Sequence, residues 1–260
     1  MPIFEKDASP GYWLPAPLAA GPFSGLQGGA IAALLTAEIE TLAAARRWGT
    51  AISVSVGFLK PTPMARLRTE VSTLREGGRV SFVDNTLFAD GDGEPCATAR
   101  VTLINERAVT APALPDPRSD AIDPTRYPSR KIASFHGKAW MMDAMDAHVG
   151  DGVAWFRQHV PMLADGPAKS LSSILGPADW AHGIARPLQN VVADPNPNLT
   201  VHLLRPPETD WIGVRPHVSW DPARGLGVGG GTILDVRGEI GSVSMAVALV
   251  PFPKPAMANA

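Results

Sequence analysis

Residues 28–47 read Gly28-Gly29-Ala30-Ile31-Ala32-Ala33-Leu34-Leu35-Thr36-Ala37-Glu38-Ile39-Glu40-Thr41-Leu42-Ala43-Ala44-Ala45-Arg46-Arg47. Ile31, Leu34, Leu35, Ile39 and Leu42 fall on one face at helical spacing, and alanine fills much of the remainder. A helix with apolar residues beyond a single stripe belongs in a core. The two glycines ahead of it leave backbone N–H groups unobstructed at its start.

Strand patterns follow at once, over residues 52–59, 66–74, 79–89 and 96–104. Alternation is visible in Ile52, Val54 and Val56 and again in Ala97, Ala99 and Val101. Lys60-Pro61-Thr62-Pro63, Glu76-Gly77-Gly78 and Asp90-Gly91-Asp92-Gly93 separate the strands, and these are turn compositions. The unit is one helix wrapped by antiparallel strands.

The second half repeats it. Phe58-Leu59-Lys60-Pro61 matches Leu203-Leu204-Arg205-Pro206, and Asp90-x-x-Gly93-Glu94 matches Asp235-x-x-Gly238-Glu239 at the same offset. Two hits in one order point to duplication. A helix is then required ahead of Leu199, and residues 170–188 supply it, with Pro177 breaking, kinking or starting it. Residues 138–149 read as a short helix and 153–162 as a strand leading into the second unit. The division predicted is a first repeat over 1–110, a Pro/Asp-rich linker over 111–132 and a second repeat over 133–255. The tail after Val250 is predicted to fray.

The chain of 260 residues is long enough to bury about 70% of its unfolded surface without staples. Its 23 Lys+Arg against 25 Asp+Glu form no block of one sign, which argues against nucleic acid or an anionic membrane as the main partner. A single cysteine, Cys96, excludes an intrachain disulfide and a cysteine-rich zinc site. No run of 18 apolar residues predicts a membrane span, and the N-terminus lacks a signal-peptide core. The reading is a cytoplasmic protein with no cofactor and no metal.

A buried Ala-rich helix wrapped by antiparallel strands, present twice, resembles the α+β double hotdog fold. More closely, the chain is similar to the TesB-like acyl-CoA thioesterases. The segments that carry this are GGAIAALL and VSVGFLKPTP in the first half, then GPADWAHGI, NLTVHLLRPP and LDVRGEIGSVSMAVALV in the second. The resemblance implies hydrolysis of an acyl-CoA or other acyl thioester by an activated water, in a homodimer or higher oligomer. It implies a site of one Asp, one Thr and one Gln. The Asp falls on Asp179 and the Thr on Thr200, whereas the Gln position falls on Met245 or Ser244. A thioether cannot orient water as an amide can. The N–H groups at Gly28 and Gly29 are suited to an oxyanion, and a carboxylate beside Trp180 and Ile184 would be raised toward a useful base.

Against that role, Asp179 also fits a first-turn carboxylate in a helix begun at Gly176-Pro177, and Thr200 fits an ordinary strand residue. His182 shares a helix face with Asp179, as a substitute for the missing Gln or as a half-exposed rim histidine. His202 reads as packing. The string Gly225-Leu226-Gly227-Val228-Gly229-Gly230 lacks the strand-turn-helix context of a dinucleotide site and reads as a hairpin or close-packed strand. Asp194-Pro195-Asn196-Pro197 resembles the start of a hotdog hydratase motif but reads as a proline-rich turn. Two other functions stay open: a hotdog protein that binds an acyl thioester without turnover, and a hotdog dehydratase or isomerase.

Overall fold

The computed structural model describes residues 1–22, 25–112, 114, 118, 121–131, 137–184 and 191–251. The glycine- and alanine-rich stretch forms helix α1, Gly28–Arg46. Gln27 caps its start, with Oε1 accepting from Ala30 N–H at 2.7 Å. Arg47 ends it in left-handed backbone, φ 57°, and Trp48 N–H returns to Ala43 O at 3.0 Å. Ile31, Leu34, Leu35 and Ile39 are buried together with most of the alanines, as an all-round apolar helix demands. Among the described residues α1 is the one helix long and apolar enough to cross a membrane, and 61% of that apolar window is buried inside the fold.

The first-half strands are β1 (Phe4–Lys6), β2 (Tyr12–Pro15), β3 (Thr50–Phe58), β4 (Leu67–Arg75), β5 (Val80–Ala89) and β6 (Pro95–Ile104). The second half holds β7 (Met145–Gly150), β8 (Val153–Gln158), α2 (Leu171–Ala178), α3 (Ala181–Ile184), β9 (Val192–Ala193), β10 (Asn198–Leu203), β11 (Trp211–Asp221), β12 (Leu226–Asp235), β13 (Gly238–Ala248) and β14 (Val250–Pro251). Twelve strands make one sheet in the order β1-β2-β4-β5-β6-β3-β10-β13-β12-β11-β8-β7, and β9 pairs with β14 separately. The order is palindromic: β3 and β10 sit in the middle, flanked by β6 and β13, then β5 and β12, then β4 and β11. The halves meet as antiparallel neighbours, with Val54 opposite Val201 and Val56 opposite Leu199. That pairing satisfies two strand edges that would otherwise be open.

Two local expectations are corrected. The second-half helix is short, because α2 carries Pro177 and stops at Ala178 before the single turn of α3. Residues 185–188 of the expected helix lie outside the described residues. The stretch 138–149 contains only a 3-10 turn, Met141–Ala144, and then the edge strand β7, paired with β8. The glycine-rich string agrees with the hairpin or close-packed strand expected: Gly225 turns with φ 68°, and residues 226–230 open β12, bonded on both sides to β11 and β13. Much of the expected linker, residues 133–136 and the tail 252–260 also lie outside the described residues.

Helices α1 and α2 pack antiparallel, the start of α1 against the end of α2. A side chain on Gly29 would come within 2.6 Å of Leu175 O and 2.9 Å of Asp179 Cβ. Only glycine permits this approach. At the other end, Glu40 of α1 accepts from Leu171 N–H at 2.9 Å, Ser172 N–H at 3.3 Å and Ser170 Oγ at 2.9 Å, capping α2.

Candidate active site

Asp179 follows the last residue of α2, and its N–H donates to Leu175 O at 3.1 Å. It is therefore a C-terminal residue, not the first-turn carboxylate that a helix begun at Pro177 would have given. Its side chain crosses to the start of α1. Oδ2 accepts from Gly29 N–H at 3.0 Å and from Gln27 Nε2 at 2.6 Å, and Oδ1 accepts from Asn196 Nδ2 at 2.9 Å. The cap fixes the Gln27 amide, because an Oε1 held by Ala30 N–H leaves Nε2 facing the carboxylate. Asn196 stands between Pro195 and Pro197, whose rings restrict the backbone. Pro197 O accepts from Phe58 N–H at 2.8 Å, so the turn is tied to the end of β3.

Burial dominates the electrostatics of this carboxyl. It pushes the pKa of Asp179 up from 3.8 to about 6, against the opposing pull of the Asn196, Gly29 and Gln27 donors. Three donors leave Oδ1 with capacity for a further hydrogen bond. A cavity of about 530 Å³ opens beside it at the junction of the two halves, with Gln27, Gly28, Asp179, His182 and Asn196 in its wall. Its apolar sides come from Ile31, Phe58 and Trp180. Gly28 has no side chain to intrude: a Cβ there would lie 3.0 Å from Phe58 Cζ and 3.2 Å from Asp179 Oδ2. The arrangement sets a carboxyl with a raised pKa, apolar walls and a helix start in one place.

The structure brings together Asp179, His182, Gly28 and Gly29. His182 is buried, with Nε2 3.6 Å from Asp194 Oδ2, and is not the half-exposed rim histidine of the alternative reading. A side chain on Gly229 would meet His182 Cβ at 2.6 Å, so the glycine run of β12 admits α3. Thr200 is not part of this group. On β10, Leu199 and Val201 face the core, and Thr200 points outward, 3.4 Å from Ser55 Oγ. His202 shares that outer face and is exposed, so it does not pack in the core. Met245 is buried beneath Gly229, outside the cavity wall, and Ser244 faces out. Among the described residues, no group of three or more His, Cys, Asp or Glu could hold a metal.

Gln27 and Asn196 are the side chains that sequence reasoning missed. An amide from the other half of the chain, that of Gln27, bonds the Asp179 carboxylate. Its signal was a polar residue directly before the two glycines, at the position that caps α1. Asn196 lies in the proline-rich turn Asp194-Pro195-Asn196-Pro197, whose composition signals a turn and no site.

Residues 17–104 match the family model of the acyl-CoA thioesterase N-terminal domain. Among curated proteins no sequence relative is found. The chain is similar in structure to a candidate thioesterase from Novosphingobium aromaticivorans, with 16% identity, TM-score 0.74, and 96% of this chain and 99% of that one covered. It is also similar to a hot dog fold protein from Alicyclobacillus acidocaldarius, with 15% identity, TM-score 0.70 and coverage of 95% and 96%. The tesB protein of Mycobacterium avium subs paratuberculosis follows, with 18% identity, TM-score 0.63 and coverage of 95% and 96%. At these identities the likeness shows the fold, an α+β double hotdog along nearly the whole chain.

Proposed function

Starting from a TesB-like double hotdog whose residues 17–104 match the acyl-CoA thioesterase N-terminal domain, we propose that this protein hydrolyses an acyl thioester with a water activated by Asp179. The observation that carries the proposal is a buried carboxylate with a pKa near 6, held by three donors in the wall of an apolar cavity. A group titrating there is ionised at neutral pH yet basic enough to accept a proton from water.

Water on the free side of Oδ1 loses a proton to Asp179 while its oxygen attacks the thioester carbonyl carbon. The charge moving to the carbonyl oxygen meets the N–H of Gly28 and the positive end of α1. The C–S bond then breaks, and the leaving sulfur takes the proton from Asp179, which restores the base. Gln27, Asn196 and the Gly29 N–H keep the carboxylate in line. Thr200 and Met245 have no part in this scheme. His182 serves the cavity wall.

The carrier is CoA or another thiol. The proposal extends to repeats at 1–110 and 133–255 about a linker at 111–132, to a homodimer or higher oligomer, and to action in the cytoplasm. Thiol release from a panel of acyl-CoAs tests it, with Asp179→Asn as control. Release that Asp179→Asn lacks supports hydrolysis. No release, with a melting temperature that rises with acyl-CoA, replaces it by binding without turnover. Consumption of substrate without thiol release would indicate a dehydratase or isomerase.

A further inference from the structure

Phe58 ends β3 in the wall of the cavity. Its backbone is held from two sides: the N–H donates to Pro197 O at 2.8 Å, and the residue pairs with Ala97 of β6. The ring is half-buried and packs against the core, so it cannot drift from that anchor. It reaches the start of α1. Measured from the point where Gly28 would carry a Cβ, Phe58 Cζ lies at 3.0 Å, Phe58 Cε2 at 3.2 Å and Asp179 Oδ2 at 3.2 Å. The ring tip and the carboxylate are therefore within about 6 Å of each other, both against the bare backbone of Gly28. Gly28 is itself only half-buried and stays open to the cavity. Among the described residues, the groups bonded to this carboxylate are the amides of Gln27 and Asn196 and the N–H of Gly29. The basic groups of the cavity wall stand against carboxylates of their own, Lys60 with Asp92 at 2.7 Å and His182 with Asp194 at 3.6 Å. Burial, not a neighbouring charge, is what raises the proton affinity of Asp179.

We propose that Phe58 is a positioning residue for the reaction: its ring tip keeps bulk water from Asp179 and, with Gly28, leaves a gap that seats the reacting thioester carbonyl. The inference rests on the hydrolytic reading of the site. A phenyl ring offers no hydrogen bond, so water is disfavoured on the flank of the carboxylate that it covers. The gap exists because position 28 is glycine. A methyl group there would push the ring or the carboxylate by a few tenths of an ångström, and a misplacement of about 1 Å at a reacting centre costs about a hundredfold in rate.

The test has two arms. In the first, carbon-13 NMR titrates the Asp179 carboxyl, which needs no turnover. The carboxyl titrates at about 6 in the wild type. Phe58→Ala admits water to it and lowers that value by about one unit or more, and Phe58→Leu lowers it less. The acid limb of kcat/KM moves down with it. A carboxyl that still titrates at about 6 in the Phe58 variants would overturn the shield. In the second arm, Gly28→Ala cuts kcat roughly threefold to tenfold without lowering the melting temperature. Adding Phe58→Leu, which withdraws the ring tip, returns part of that loss. Losses that simply multiply would overturn the gap. Phe58→Leu carries both arms if Phe58→Ala does not fold. If the wild type releases no thiol from any acyl-CoA, the hydrolytic reading fails separately, and the NMR titration still judges Phe58.

Discussion

Gln27 Nε2 lies 2.6 Å from Asp179 Oδ2, although 152 residues separate the two in the chain. The bond joins the first residue ahead of α1 to the residue that ends α2. It is half of a reciprocal exchange in which each helix receives a carboxylate from the other half at its N-terminus: Asp179 at the start of α1, Glu40 at the start of α2. One of these carboxylates faces the cavity, and the other is half-buried against the start of the helix that it caps.

Gln27→Ala removes a donor from an ionised, buried carboxyl. Hydrogen bonds to charged groups contribute about 1.5–3 kcal/mol, equivalent to about one to two pH units in the proton affinity of Asp179. The acid limb of kcat/KM against pH therefore moves upward from about 6. Loss of the Ala30 N–H acceptor also costs about 1 kcal/mol of stability. Gln27→Glu should move the limb further, because it sets a like charge beside the base. A limb that stays in place in both variants would remove Gln27 from the site.

Asp179→Asn keeps the shape but loses the negative charge. Its amide oxygen can still accept at one side, whereas its NH2 must face a donor, either Asn196 Nδ2 or the Gln27 and Gly29 pair. Turnover should fall by roughly 100- to 10,000-fold, the worth of a general base. Thr200→Val should leave kcat/KM within about twofold, since that hydroxyl lies on the outer face of the sheet. Thiol-release kinetics of both variants check this pair.

Glu40→Ala takes the cap from α2 and strands the Leu171 and Ser172 N–H groups. The cost is about 1–3 kcal/mol, at about 2–4 °C of melting temperature for each kcal/mol in a chain of this size. Glu40→Gln should lose less. Neither should move the acid limb of activity, because Glu40 acts at the far end of α2 from Asp179. Calorimetry beside a pH–rate profile separates the two effects.

The fold was legible because its signals are local and periodic. The helix at 28–47 and the strands at 52–59, 66–74, 79–89 and 96–104 each fall within a few residues of the observed elements. The site was legible only in part. Asp179, Gly28 and Gly29 carry recognisable neighbours in sequence. The partners of Asp179 depend on which halves touch, and a one-residue difference in strand parity decides whether Thr200 faces the core or the solvent. Repeat anchors do not convey partners either. Arg205 pairs with Asp235 at 2.6 Å, whereas their counterparts Lys60 and Asp90 bind Asp92 and Arg66 instead.

The raised pKa of Asp179 fixes a second signature, in stability instead of rate. The folded group titrates at about 6 and the unfolded one at 3.8. Between those values the folded protein holds a proton that the unfolded chain has released, so stability rises as pH falls from about 7 toward 4 and is lost as pH climbs through 6. A shift of this size is worth about 3 kcal/mol. Glu38 and Glu40, raised by burial despite their donors, act with the same sign. Asp7, Asp92, Asp123 and Asp235 titrate low, so their opposite contributions are lost only below the 3.8 of a free Asp. The difference in unfolding free energy between wild type and Asp179→Asn isolates the one carboxyl. It should move toward the wild type by about 2 kcal/mol between pH 7.5 and about 4.5. Urea titrations across that range measure it, and a flat difference would mean that a group other than Asp179 sets the acid limb of activity.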